Sequence, residues 1–233
     1  MRLRKKWWAK PELEKDHKVI FTPSEFKGRW QELFGNNQPI HLELGCGRGR
    51  FITELARENP EINYLALDVH HELLVKVLRK ANENTLNNVR IIPMNIENIE
   101  EVFALDEIEL IYINFCNPWP SNRHHRRRLT HPNFLRRYQT FLRKGSEIWF
   151  KTDDDLLFTD SLAYFQAAGF TELYRTYDLG QSDFQGNIQT EYEEKFSNQG
   201  IRIKFAQFRN YEAGEPSLCF TGSRINARYD LNP

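Results

Sequence analysis

A glycine-rich loop beside a carboxylate is the first feature of the sequence that could do chemistry. The segment Glu43-Leu44-Gly45-Cys46-Gly47-Arg48-Gly49 follows an apolar run. Glycine permits a tight turn and close approach of a ligand to the backbone. A dinucleotide loop has GxGxxG spacing and presents N–H groups to a pyrophosphate, whereas this loop has GxGxG. Because a carboxylate repels phosphate and pairs with an ammonium group, Glu43, Gly45 and Gly47 favour S-adenosylmethionine over NAD; an ordinary strand–helix turn is the alternative.

Polar side chains also follow the next two predicted strands. Asp68 lies 19 residues beyond Gly49 and could accept hydrogen bonds from both hydroxyls of a ribose. Either cofactor would use such an acid, so Asp68 predicts a nucleoside without choosing one. Asn95 could reach an adenine edge as donor and acceptor. A simple loop asparagine is an equally good interpretation of Asn95.

The segment 114–128 combines an asparagine, two prolines, a tryptophan and a run of basic residues. Asn117 is placed to bond a base edge, and Trp119 offers a face on which an unpaired base could stack. The arginines that could contact flanking phosphates are Arg123, Arg126, Arg127 and Arg128. The alternative is a buried tryptophan followed by a solvated basic loop. No cysteine or acid lies at metal-ligand spacing from His124 and His125, so we predict no metal site here.

Alternating strands and helices must position these residues. Apolar runs predict seven strands, and a helical period predicts four helices with a short acidic helix besides. The strands are 39–44, 62–67, 89–93, 109–115, 146–151, 170–177 and 201–208, and the helices are 48–58, 71–82, 97–103, 131–143 and 154–168. For helix 131–143 we expect Thr130 as the N-cap and Gly145 at the exit. The pattern predicts an α/β fold, doubly wound, with a mostly parallel seven-stranded sheet and helices on both faces. Ligands bind at the carboxyl ends of strands in such sheets.

Composition and charge favour one cytoplasmic domain with a polyanionic partner. The 233 residues hold 32 Lys+Arg and 32 Asp+Glu, yet residues 1–10 and 121–146 are basic and free of acids. Solvated surface is the alternative for these patches. No apolar run is long enough for a membrane span or a signal peptide, and three scattered cysteines suit a reducing compartment. We divide the chain into a basic arm (1–34), a catalytic domain (35–209) and an unassigned tail (210–233).

Five sequence blocks then identify a family. They are HLELGCGRG (41–49), NYLALD (63–68), NFCNPWPSNRHHRRRLTHPNFL (114–135), FKTDD (150–154) and TEYEEKF (190–196). With these blocks the chain resembles the bacterial tRNA (guanine-N7)-methyltransferases, which are class I S-adenosylmethionine-dependent enzymes with a Rossmann-like fold. The resemblance runs from about Arg2 to Phe208. It implies methyl transfer by in-line displacement to a guanine in the tRNA variable loop.

The resemblance also implies roles for individual residues. Glu43, Asp68 and Asn95 would contact the cofactor, as would Asn117, which is also the catalytic position. The target guanine would be held by Ser121, Asp153, Thr190, Glu191, Tyr192 and Glu193. The carboxylate of Glu193 could accept from guanine N1–H and N2–H₂. The family usually has Asp and Lys where this chain has Asn117 and Ser121, and Asp is common where it has Asn95.

The substitution at position 117 bears on activity. Guanine N7 carries a lone pair and no proton, so methyl transfer needs positioning rather than a general base. Asn keeps the acceptor of Asp and loses its charge, which costs at most about 4 kcal/mol at an effective dielectric near 20. We therefore predict an active enzyme that is slower than one with Asp at position 117.

Three other functions stay open at this stage. One is an amino-group methyltransferase acting on nucleic acid, since Asn117-Pro118-Trp119 fits that chemistry. Another is a tRNA-binding homologue without turnover, and a nicotinamide oxidoreductase is disfavoured by the glycine spacing. The arm carries basic residues beside Trp7 and Trp8, which suits RNA contact; a tail with its tryptophans folded onto the core is the alternative. Related enzymes imply a monomer or a homodimer.

Overall fold

A seven-stranded sheet with helices on both faces organises the chain. The computed structural model describes residues 5–210. The strands are β1 (Ile40–Leu44), β2 (Asn63–Asp68), β3 (Val89–Pro93), β4 (Ile108–Asn114), β5 (Leu142–Thr152), β6 (Phe170–Thr176) and β7 (Lys204–Asn210). The α-helices are α1 (Ala9–Leu13), α2 (Trp30–Phe34), α3 (Arg50–Glu58), α4 (His71–Glu83), α5 (Pro132–Gln139), α6 (Asp155–Ala167) and α7 (Glu191–Ser197). Short 3₁₀ helices span Pro23–Phe26, Ile96–Glu101, Asn122–Arg127 and Leu179–Gln181.

The strand order β3-β2-β1-β4-β5-β7-β6 places a switch point at the centre of the sheet. The first five strands in this order run parallel, and β7 runs antiparallel to both β5 and β6. The chain winds outward from β1 through β2 to β3 and then returns to β4 beside β1. A crevice opens at such a reversal, outside the carboxyl ends of the strands. The predicted doubly wound, mostly parallel sheet is confirmed, and the site is expected beyond β1 and β4.

Two apolar clusters cover the two faces of the sheet. One packs α5 and α6 against the sheet and includes Leu42, Leu135 and Phe158, all fully buried. The other packs α3 and α4 on the opposite face and includes Ile52 and Leu74. Strands covered on both faces are mostly apolar, and β1 and β2 are buried at every position, including the polar Glu43 and Asp68 near their ends. The helices that follow β1 and β2 are thereby held with their N-termini at the crevice.

The region after α5 departs from the sequence prediction. The helix ends at Gln139, and Gly145 lies inside β5 with φ +77° rather than at a helix exit. The N-cap is His131, whose ring nitrogen accepts from the Asn133 N–H at 3.2 Å, while the Thr130 hydroxyl bonds Ser161. Apolar residues at 141 and 142 satisfy a helical period and a strand equally well, and pairing of Leu142 with β4 decides for the strand.

The described part of the basic arm packs onto the domain. Ala9 and Leu13 of α1 are fully buried. Val19 forms a parallel bridge to Ile91, with the Ile20 N–H donating to the Ile91 carbonyl at 2.8 Å, so the arm covers the free edge of β3. Apart from Asn210, which ends β7, the predicted tail lies outside the described residues. Among residues 5–210, no helix is long and apolar enough to cross a bilayer.

We predict that Gly49→Ala is far more destabilising than Gly45→Ala. Both glycines have left-handed backbones, with φ +78° and +75°, a conformation that costs an alanine about 1–2 kcal/mol. A Cβ at position 49 would also lie 2.6 Å from Cγ2 of Val77, whereas nothing lies within 4 Å of one at position 45. We expect a loss of about 3 kcal/mol or more for Gly49→Ala in urea unfolding and about 1 kcal/mol for Gly45→Ala. Val77→Ala should recover part of the Gly49→Ala loss; equal losses for the two glycine variants would contradict this packing.

Candidate active site

The glycine loop after β1 is fixed to the end of β2. The N–H groups of Gly45 and Cys46 both donate to the Leu67 carbonyl, at 2.8 and 3.0 Å. Gly45, Gly47 and Gly49 all have positive φ, between 56° and 78°, which explains the glycine spacing because other residues rarely adopt this conformation. The loop therefore passes directly over the carboxyl edge of β1 and β2 and leads into α3.

Glu43 is a buried carboxyl with only one of its oxygens satisfied. The Asn114 amide donates to Oε1 at 3.0 Å, and this bond joins β1 to β4 at the switch point. Oε2 is buried and has no hydrogen-bond partner within the described part of the chain. Burial raises the pKa of Glu43 to about 8. An orphaned carboxyl oxygen of this kind is costly, and a cationic ligand group would satisfy it. Asn114 is not among the predicted site residues, although it opens the segment 114–128.

Asp68 lies beside the glycine loop at the end of β2. Its Oδ2 accepts from the Gly47 N–H at 3.1 Å and its Oδ1 from the His70 N–H at 2.9 Å. Burial raises the pKa of Asp68, and the hydrogen bonds from the two backbone N–H groups oppose that rise. Each oxygen has a second lone pair, so the carboxylate has the capacity to accept from two hydroxyls. Val69 follows with 54% of its surface exposed and adds an apolar patch at the same edge.

Asn95 follows β3 at this edge and is engaged locally. Its Oδ1 accepts from the Glu97 N–H at 3.1 Å and caps the 3₁₀ helix Ile96–Glu101. Its Nδ2 lies 3.3 Å from a carboxylate oxygen of Glu97. These contacts are those of a loop asparagine. Asn95 nevertheless lies at the carboxyl ends of the strands, near the other polar side chains.

The loop after β4, which carries Asn117, has a strained backbone at Phe115 and Trp119. Phe115 has φ +51° and Trp119 has φ +42°, both in the left-handed region that is unfavourable for aromatic residues. Such strain clusters at functional sites. Asn117 is exposed, and its Oδ1 accepts from the Trp119 N–H at 3.1 Å. Trp119 is half-buried, with the Arg127 guanidinium 5.1 Å from its ring centroid, so it is not the core tryptophan of the alternative interpretation.

Arg128 corrects the predicted set of surface arginines. Its side chain is fully buried, unlike the exposed Arg123, Arg126 and Arg127. Its Nε donates to the Pro118 carbonyl at 2.7 Å, and one terminal nitrogen lies 2.6 Å from Asp160 on α6. Because a guanidinium has donors only, it is committed to holding the strained loop on α6 and is not available to a polyanion. Within residues 5–210, no group of three His, Cys, Asp or Glu residues is arranged to hold a metal ion.

A buried ion pair connects Glu193 to β5. One Glu193 oxygen accepts from Lys151 Nζ at 3.1 Å and the other from the Asn187 amide at 2.6 Å, and only 3% of either charged side chain is exposed. Lys151 Nζ also donates to the Ile188 carbonyl at 2.9 Å. Burial lowers the pKa of Lys151, and the Glu193 carboxylate opposes that shift. Lys151 is not among the predicted site residues, although it ends the run SEIWFK and lies in the block FKTDD.

Helix α7 brings the remaining predicted residues over the crevice. Thr190 is its N-cap and accepts from the Glu193 N–H at 2.9 Å. Glu191 forms an ion pair with Lys80 of α4 at 2.8 Å, and the exposed Tyr192 stacks on Phe115 with ring centroids 6.3 Å apart. These contacts hold α7 between α4 and the strained loop. Two predicted residues have no side-chain hydrogen bond to another residue of the range 5–210: Ser121 is exposed before the 3₁₀ helix Asn122–Arg127, and Asp153 is half-buried after β5.

We predict that Glu43→Gln stabilises the protein increasingly as pH rises from 5 to 8. The folded state keeps the Glu43 proton up to a pKa of about 8, against an ordinary value of 4.5. The folded state thus binds more protons than the unfolded state across this window, so wild-type stability falls as pH rises. Urea unfolding should show Glu43→Gln gaining about 1–4 kcal/mol over wild type between pH 5 and 8. The exposed Glu61→Gln serves as the control, and a pH-independent difference for Glu43→Gln would refute the assignment.

The chain has relatives among known proteins. Residues 37–206 match the family model described as "Putative methyltransferase". The chain is 65% identical to the tRNA (guanine-N(7)-)-methyltransferase of Desulfitobacterium hafniense strain Y51, covering 89% of this chain and 96% of that protein. It is 59% identical to the enzyme of the same name from Clostridium tetani, covering 88% and 97%.

Solved structures support the fold alone. The 16S rRNA methyltransferase KamB aligns with a TM-score of 0.61 at 15% identity, covering 82% of this chain and 95% of that one. A SAM-dependent methyltransferase from Aquifex aeolicus aligns with a TM-score of 0.53 at 13% identity, covering 85% and 96%. The match to the family model, the high identity to curated relatives and the shared architecture lead to one conclusion: the chain belongs to the family of bacterial tRNA (guanine-N7)-methyltransferases.

Proposed function

We propose that this protein transfers a methyl group from S-adenosylmethionine to N7 of a guanine in the variable loop of tRNA, in the cytoplasm and as a monomer or homodimer. The observation that carries the proposal is the orphaned Glu43 oxygen beside the GxGxG loop. A buried carboxyl oxygen without a partner suits the ammonium group of an amino-acid cofactor. The names of relatives at 51–65% identity supply the substrate and the position of methylation.

The cofactor would be held by residues from four strand ends. Glu43 would pair with its ammonium group, Asp68 would accept from its ribose hydroxyls, and Gly45 and Gly47 leave room for close backbone approach. Asn95 and Asn117 complete the set from the loops after β3 and β4. When bound, the cofactor supplies an electrophilic methyl group on a sulfonium. The pKa of Glu43 should fall on binding, because an adjacent cation favours its ionised form.

The guanine site is proposed between the strained loop and the N-terminus of α7. Lys151 and Asn187 orient the Glu193 carboxylate, and each of its oxygens has a second lone pair for guanine N1–H and N2–H₂. Ser121, Asp153 and the turn of Thr190, Glu191 and Tyr192 line the same edge. The bonds of Arg128 hold the strained loop in place for a base to stack on Trp119, with Arg127 against the ring.

The reaction requires the protein to position the guanine and does not require it to remove a proton. Guanine N7 has a lone pair and no proton, so no base must act before methyl transfer. The chain contributes by holding the base at near-attack distance and by excluding water, and such positioning supplies much of the gain in rate. Asn117 offers an oxygen acceptor without the charge that would stabilise the purine as it becomes cationic. The structure uses that oxygen to form the turn at Trp119.

We predict that the wild-type protein makes 7-methylguanosine and that Asn117→Asp raises kcat by up to about tenfold. The added carboxylate would stabilise the developing positive charge, and tenfold corresponds to about 1.4 kcal/mol. Purified enzyme, unmodified tRNA and radiolabelled S-adenosylmethionine are incubated, and the labelled nucleoside is identified after digestion.

Asn122→Asp is the matched control, because Asn122 is another exposed asparagine of the same segment. It should leave kcat within about twofold. Label in an N-methylated amino group would transfer the assignment to an amino-group methyltransferase. Retained tRNA and cofactor binding without label would indicate a homologue that has lost turnover.

We predict that Glu193→Gln raises KM for tRNA by at least tenfold, with little change in the dissociation constant for S-adenosylmethionine. The amide replaces one acceptor by a donor and leaves Lys151 without a buried counter-charge. Steady-state kinetics and calorimetric cofactor titration measure the two quantities. Glu194→Gln, on the exposed side of α7, is the control. Equal losses for both ligands, together with a lower Tm, would show that Glu193 only holds the fold.

A further inference from the structure

Trp7 is an exposed aromatic side chain that the proposed site does not use. Its relative exposure is 87%, the highest among the large hydrophobic residues of the described chain. Exposing a whole indole forfeits the gain of burying it. The adjacent Trp8 is half-buried against the second apolar cluster, so the two tryptophans have different surroundings despite their adjacency. The core therefore explains Trp8, whereas Trp7 has no packing role among residues 5–210.

The backbone that carries Trp7 is fixed by contacts on either side. The Lys6 N–H donates to a carboxylate oxygen of Glu72 at 3.0 Å. The Trp8 ring has the Lys6 ammonium 5.1 Å and the Arg79 guanidinium 5.3 Å from its centroid. Arg79 in turn bonds both oxygens of Glu12 on α1, at 2.7 and 2.8 Å. Trp7 is thus presented from an anchored segment, which reduces the entropy lost when a partner binds.

These contacts place Trp7 near the carboxyl ends of the parallel strands, where the proposed site lies. Glu72 is in the first turn of α4, four residues beyond Asp68 at the end of β2. β2 is separated from β4 by β1 alone, and neighbouring strands lie about 5 Å apart. The loop after β4 therefore lies about 10 Å, or two strand spacings, from the end of β2, near which Trp7 is anchored.

The charges around Trp7 suit a polyanion. Lys5 and Lys6 are exposed, and positions 5–11 contain no acid, whereas Lys10 pairs with Glu14 at 3.5 Å. The nearest acids along the arm and α4 are engaged, since Glu12 pairs with Arg79 and Glu72 accepts from the Lys6 backbone. An aromatic face flanked by lysines binds an unpaired base by stacking and its phosphates by charge.

We propose that Trp7, with Lys5 and Lys6, is a stacking platform for an unpaired nucleotide of the tRNA, separate from the guanine that is methylated. This inference rests on the proposed function, because the tRNA substrate is the partner. The platform adds a second contact near the end of β2, so the tRNA is held both there and at the guanine site beside the loop after β4. It acts on tRNA affinity and leaves both cofactor binding and the methyl-transfer step unchanged.

The test compares Trp7→Ala, Trp7→Phe and Leu105→Ala in the full-length chain. Leu105 is also a large exposed hydrophobic residue, at 73%, but it precedes β4 at the opposite edge of the sheet. We expect Trp7→Ala to raise the dissociation constant for unmodified tRNA about tenfold. Trp7→Phe should stay within about threefold of wild type, because a smaller ring still stacks, and Leu105→Ala should be unchanged. Cofactor affinity, Tm and kcat at saturating tRNA should be unaltered in all three.

The salt dependence of tRNA binding gives an independent measurement. Lys5→Ala with Lys6→Ala should reduce the slope of log K against log salt by up to about two, because each phosphate contact releases counterions. Trp7→Ala should weaken binding without changing that slope.

Results that overturn the platform differ from results that overturn the proposed function. Wild-type tRNA affinity in Trp7→Ala overturns the platform, and a protein partner for Trp7 would give that result. A lower Tm or weaker cofactor binding in Trp7→Ala would overturn it in favour of a packing role. A wild-type protein that neither binds nor methylates tRNA would instead refute the proposed function on which the platform rests.

Discussion

The hydrogen bond between Asn114 and Glu43 is the interaction on which the site depends. It joins the ends of β1 and β4, the two strands between which the direction of winding reverses. It also leaves the second Glu43 oxygen buried without a partner in the described chain. The protein thus carries an unfavourable group where the sheet opens, and a ligand cation would relieve that cost. This is a stability loss retained for binding, as functional sites commonly show.

Other contacts hold the surrounding loops against that point. Arg128 is buried and bonds the Pro118 carbonyl and Asp160, which keeps the strained loop on α6. Lys151 and Glu193 form a buried pair that fixes α7 to β5 from the other side. Removing one partner of such a pair leaves an uncompensated charge in the interior. Arg128, which the sequence presents as a phosphate contact, therefore serves to position one of the loops that frame the crevice.

Much of the architecture was predictable because its physical signals are local. Apolar runs of strand length, helical periodicity and glycine spacing identified seven strands and the loop after β1 with boundaries close to those observed. Predictions were wrong where two periods coincide. Residues 141 and 142 fit a helix and a strand alike, and only pairing with β4 extends β5 back to Leu142. The sequence predicts the last strand at 201–208, whereas the structure has it at Lys204–Asn210. Its pairing with β5 and β6 sets these bounds.

By itself the sequence determined the fold class, the family and the positions whose residue types suit a nucleoside cofactor and a base. Residue type and spacing carry that information, since a left-handed turn needs glycine and a strand covered on both faces needs apolar residues. Only the tertiary structure decided that Arg128 is interior, that Asn114 holds Glu43 and that Lys151 pairs with Glu193 across 42 positions of the chain. Burial and long-range partners decide what a charged side chain does, and neither is encoded in its immediate neighbours.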